Sequence, residues 1–113
     1  IQPLNDGTSI PAYKNIIQNA HAALKGGKWD EAEKYALHAQ RIAPQAAEPF
    51  LYLALISDYK NQNQNAESLA RRGLSYAQTT PMKRELWKVI LKSGAKQKNT
   101  KTIAEAQNHL KNL

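Results

Sequence analysis

The chain has 113 residues, 42% of them hydrophobic, with five glycines, five prolines and no cysteine. That length fits one domain with a modest core. The lack of cysteine excludes disulfides and thiolate-bound metals, and no run of about eighteen apolar residues is present to span a membrane. The net charge of +7 is uneven: residues 1–80 hold eight Lys/Arg against seven Asp/Glu, whereas residues 81–113 hold eight against two. The basic character therefore belongs to the last third. Abundant Ala, Leu, Lys, Gln and Asn favour helices over strands.

Residues 1–10 contain Pro3 and Gly7 and lack helical periodicity, so they read as the remnant of a linker. Thr8 or Ser9 is placed to cap a first helix with Pro11 in its first turn. That helix is expected to run to Lys25, where Gly26 and Gly27 can end it and reverse the chain. Asp30 and Glu31 suit the partly positive start of a second helix. Ala32, Tyr35, Ala36, Ala39 and Ile42 then follow the three-and-four spacing of one helical face, and Pro44 marks the stop. A third helix is expected over about Ala47 to Lys60, with the run Asn61-Gln-Asn-Gln-Asn65 turning it into a fourth that ends near Ala77. Thr80-Pro81 signals a fifth helix to about Ser93 or Ala95, and Asn99 or Thr100 can cap a sixth to Lys111.

Adding 34 carries Ala32 to Ala66, Ala36 to Ala70 and Ala39 to Gly73, and it carries Ile16 and Ala20 to Phe50 and Ala54. A period of 34 with these large and small residues resembles the tetratricopeptide repeat. Gly27, Trp29, Ala32, Ala39 and Pro44 fall on that family's positions in the first unit, and Phe50, Leu53, Ala54, Ala66 and Leu74 do so in the second. Ala36, Ala70, Asn19 and Gln78 depart from the pattern. Trp87 sets the register of a third, degenerate unit, in which Ile103 falls where alanine is expected; a few extra residues must lie between units two and three. The resemblance implies an all-α solenoid of about six antiparallel helices over residues 11–113, in units of about 13–46, 47–80 and 81–113.

No enzyme signature survives inspection. His21, His38 and His109 are scattered without second ligands at metal spacing, Gly26-Gly27 lacks the Gly-Lys-Ser/Thr ending of a phosphate loop, and no cofactor is called for. The groove is more informative. In a stack of helical hairpins the first helices line a concave face, which here receives Lys14, Ile17, Gln18 and His21, then Glu48, Leu51, Tyr52, Leu55 and Tyr59, then Lys88, Val89, Lys92 and Lys96. Leu51, Tyr52, Leu55, Tyr59, Lys88, Lys92 and Lys96 form the candidate partner-binding groove, partly apolar with a cationic wall. Arg84, Lys88, Lys92 and Lys96 recur every four residues as one basic stripe, with only Glu85 and Glu105 to balance it. An acidic partner or anionic lipid would be drawn to it; nucleic acid is the weakest candidate, because no aromatics interleave for stacking. The carboxylate clamp of co-chaperone repeat domains is absent, since Ile17, His21 and Tyr52 occupy its positions.

The stretch from Ala66 to Ala77, followed by Lys83-Arg-Glu-Leu-Trp-Lys-Val-Ile90, resembles the repeat domain of bacterial outer-membrane lipoproteins that activate penicillin-binding cell-wall synthases. That resemblance implies a non-catalytic, monomeric regulator working in the periplasm, tied to the outer membrane by a lipid anchor upstream of Ile1. The alternative is a generic adaptor, such as a pilus- or envelope-assembly scaffold, in the periplasm or cytoplasm with another protein client.

Overall fold

A computed structural model describes residues 10–113. Thr8, Ser9 and most of the expected linker lie outside the described residues. Six α-helices follow one another: α1 (Pro11–Lys25), α2 (Trp29–Ile42), α3 (Ala47–Tyr59), α4 (Asn63–Leu74), α5 (Thr80–Lys96) and α6 (Thr100–Lys111). No strand interrupts them among the described residues. They pair as antiparallel hairpins, α1 with α2, α3 with α4 and α5 with α6, and α3 also touches both α1 and α5. The fold is the tetratricopeptide-like solenoid.

The local chemistry explains the bounds. Pro11 opens α1 where no backbone donor is needed. The hairpin tips close identically: the N–H groups of Lys28, Gln62 and Asn99 donate to the carbonyls of Ala23, Ser57 and Gly94. Each tip needs one left-handed residue, supplied by Gly27 (φ 73°), Asn61 (φ 60°) and Lys98 (φ 55°). α5 is capped by Thr79, whose side chain accepts from the Met82 N–H, and not by Thr80. α6 is capped by Asn99, which accepts from Thr102. α4 stops at Leu74, short of Ala77, because Gly73 and the following turn break the repeat of helical bonds.

Packing depends on small residues. Ala32, Ala36, Ala39, Ala66, Ala70 and Ala106 are wholly buried where paired helices meet. At Gly73 a Cβ would come within 3.0 Å of both Phe50 and Leu86, so α4 lies closer to α3 and α5 than a side chain there would allow without a shift of its neighbours. Phe50, Ala54 and Trp87 are buried as the repeat pattern requires, whereas Pro44 is exposed in the turn it terminates.

The extra residues of the third unit are not between units. They lengthen α5, which has 17 residues against 13 in α3. The tip residues consequently step from 27 to 61 and then to 98. On α6 the buried positions become Thr102 and Ala106, while Ile103 is only half-buried. Gly94 makes room for this, since a Cβ there would meet Thr102 at 2.9 Å.

Candidate functional site

α1, α3 and α5 lie side by side, with α3 in the middle, and form the inner layer of the stack. Because α3 is covered by α1, α2, α4 and α5, it is apolar nearly all round, as an enclosed helix should be. That position decides the fate of the expected groove. Leu51 and Tyr52 are each 1% exposed and belong to the core, so neither presents a contact surface. Leu55 is half-buried, and Tyr59 at the end of the helix is 57% exposed. Glu48 is buried and accepts a 2.9 Å hydrogen bond from the Tyr13 hydroxyl. Ile17 and Val89 are also core, whereas Lys14 and Gln18 face solvent. The Tyr52 hydroxyl and the His21 Nδ1 are buried without hydrogen-bond partners among the described residues. Burial pushes the Tyr52 phenol up and the His21 imidazole down.

The basic stripe is more balanced than its sequence suggests. Asp58, at the end of α3, accepts from Lys92 and Lys96, each at 2.9 Å. Lys96 Nζ also reaches the Asp58 carbonyl at 3.3 Å and the Asn61 Oδ1 at 3.5 Å. Lys88 pairs with Glu85 within α5 at 3.2 Å. Glu105 is engaged elsewhere: with Glu67 it holds Arg71, whose Nη2 lies 2.7 Å from Glu105 Oε1. Asp58 was the missing counter-charge, 34 and 38 residues from its lysines, a separation that leaves no local signal in the sequence. Lys14, Gln18, Leu55, Tyr59, Lys88 and the outer part of Lys92 remain as the accessible inner face.

Burial of Asp58 would raise its pKa, but the hydrogen bonds from Lys96 and Lys92 outweigh that and hold it below the ordinary 3.8. A depressed folded value contributes stability that is present above the unfolded pKa and is lost as pH falls through the folded one. Asp58→Asn is therefore expected to flatten the fall of Tm between about pH 5 and pH 2. Parallel Tm profiles for the variant and the parent would exclude Asp58 as a contributor.

The hairpin tips carry features that the repeat frame did not single out. Trp29, a repeat position, stacks on Tyr59 with ring centroids 3.9 Å apart. Lys60 pairs with Asp30 at 3.3 Å beside them. The next tip presents Gln62, Asn63, Gln64 and Asn65 together with Gln97. Among the described residues no group of three or more His, Cys, Asp or Glu could hold a metal ion, and no helix is long and apolar enough to cross a membrane. His38 is exposed, and His109 stacks on Trp87 with centroids 4.0 Å apart.

Three stacked hairpins with a half-polar inner face define a tetratricopeptide-like protein-interaction domain. It is similar to the globular C-terminal domain of P. aeruginosa LpoP, at 28% identity and a TM-score of 0.80, over 92% of this chain and 99% of that one. The TPR domain of Arabidopsis OM64 shares the fold at 16% identity and a TM-score of 0.77, over 88% of this chain and 79% of that one. No protein-family model matches the sequence, and no curated protein matches it.

Proposed function

We propose that this domain is a non-catalytic regulator that binds and activates a penicillin-binding peptidoglycan synthase in the periplasm. The observation that carries the reading is the likeness to the LpoP domain across nearly the whole of both chains. It joins the resemblance of the Ala66–Ala77 and Lys83–Ile90 stretches to lipoprotein activators of such synthases. In this reading a lipid anchor upstream would hold the domain at the outer membrane. The contact would be the accessible inner face, where Leu55 and Tyr59 give apolar area beside Lys88 and Lys92.

Charged groups at such a rim act mainly on association, and buried aromatic contacts on dissociation. Replacing Lys88 and Lys92 with glutamate is expected to slow association with the synthase and to reverse its salt dependence. Leu55→Ala should instead speed dissociation. The test is glycan-strand synthesis by candidate penicillin-binding proteins with and without the domain, alongside binding kinetics. No stimulation of any candidate would remove the activator reading. The likeness to the OM64 repeat domain favours a second reading, a generic adaptor for another protein, and that outcome would leave it standing. Stimulation that survives both sets of changes would move the contact off the inner face.

A further inference from the structure

The three hairpin tips lie along one edge of the stack, and two clefts are lined by residues of successive tips. The first, of about 400 Å³, is lined by Gly27, Lys28, Trp29, Asp30, Glu31 and Lys60. The second, of about 570 Å³, is lined by Gln62, Asn63, Gln64, Asn65 and Gln97. Both volumes fall in the ordinary range of small-molecule clefts.

The chemistry along this edge is unusual in two ways. Tyr59 covers Trp29 with one ring face, yet it is 57% exposed, an aromatic surface that the core does not need. The second cleft is lined by carboxamides alone, with no charged side chain. Two of them are held in place: Asn65 donates to Ser57 Oγ at 2.7 Å, and Gln97 donates to Glu67 Oε1 at 3.3 Å and to the Ser93 carbonyl at 3.2 Å. Gln62 and Gln64 are exposed. The Asn63 Oδ1 is buried with no hydrogen-bond partner among the described residues, and the Asn63 side chain lines the cleft. In the first cleft the charges cancel, since Lys60 pairs with Asp30 at 3.3 Å and Lys28 with Glu31 at 3.9 Å.

A carboxamide offers two donors and an acceptor, which suits ligands whose groups both donate and accept. An aromatic face is electron-rich and attracts flat, weakly polarised C–H surfaces. The lining of the two clefts carries no net charge, which selects against an ionic ligand. Both clefts are shallow, with no deep apolar hole for an anchoring side chain and no free strand edge to receive a peptide backbone. A sugar ring has a flat C–H face and a rim of hydroxyl or acetamido groups, and it meets all of these conditions. We infer that the tip edge, from Trp29 and Tyr59 to Gln62, Gln64 and Gln97, is a binding site for an uncharged oligosaccharide bearing acetamido groups. Tyr59 is the one residue it shares with the inner face; its other members lie outside that face, and the site does not depend on a synthase partner.

The test uses the β-1,4-linked tetramer of N-acetylglucosamine as probe and follows the described domain by two-dimensional amide NMR, with no synthase present. The tetramer is expected to shift the Trp29 indole N–H, the amides from Lys60 to Asn65 and that of Gln97. The double substitution Gln62→Ala/Gln64→Ala, at exposed positions, should weaken binding about tenfold with Tm unchanged, and Tyr59→Ala should do at least as much. Lys88→Glu should bind the sugar as the parent does. The assignment fails if these signals do not move, if shifts fall only elsewhere, or if the tip variants bind like the parent. It fails equally if only peptide-bearing fragments or a protein partner perturb the edge. Failure here would leave the synthase reading intact, because that reading is measured by polymerisation and by variants on the inner face.

Discussion

Trp87→Ala is expected to lower the stability of the domain by about 3–5 kcal/mol, the range found when a buried aromatic is truncated without repacking. Trp87 is 7% exposed and sits on α5 where α5, α4 and α6 meet. One face stacks on His109 with the planes 8° apart, and the Arg71 guanidinium lies 5.9 Å from the ring centroid. Arg71 in turn ties Glu67 on α4 to Glu105 on α6. Removing the indole would leave a hole and withdraw the surface that orients both partners. Trp87→Phe should recover a large part of the loss, because most of the buried area returns. Urea unfolding checks both. A loss below about 1 kcal/mol for the alanine variant would mean that α6 adds little to the cooperative unit.

Ala66→Leu should cost about 1–3 kcal/mol for the opposite reason, too much volume. Ala66 is wholly buried on the stripe of α4 that continues through Ala70 to Gly73. The 3.0 Å limits at Gly73 show how little space separates this helix from Phe50 and Leu86. The larger side chain can fit only by moving α4 outward, which would loosen the contact with α5 as well. Thermal unfolding equal to that of the parent would show that the register linking Ala32 to Ala66 does not describe the interface.

The helices were legible because the pattern that encodes them is local. Pro11, the Gly26-Gly27 tip and the alanine face placed α1 and α2 close to where the structure has them. The third unit was legible only in part: the slip shows in the register of Trp87 and Ile103, but an insertion within a helix leaves no loop residues to mark its place, which appears only in the length of α5. The inner face was the least legible. Counting along a repeat names the side of a helix but not what covers it, and α3 is enclosed along most of its length, so Leu51 and Tyr52 went to the core while Leu55 and Tyr59 near its end did not. The charge stripe was misread because Asp58 lies far away in sequence, and ion pairs between helices have no short-range signal. The tip edge escaped because polar turn residues look like ordinary solvated loop until their neighbours in space are known.

The three tips also bear on how far such a chain can drift. A left-handed backbone costs an ordinary residue roughly 1–2 kcal/mol, costs asparagine less and costs glycine almost nothing. Gly27, Asn61 and Lys98 span that whole range at equivalent positions. Against a total stability of order 5–15 kcal/mol one lysine there is a small loss, whereas lysine at all three tips, about 3–6 kcal/mol together, would take a large share of it. The glycine that marks this turn in a sequence is thus dispensable piecemeal, one hairpin at a time. A lineage can erase most of its recognisable repeat signature this way while its hairpins go on closing through the same three hydrogen bonds.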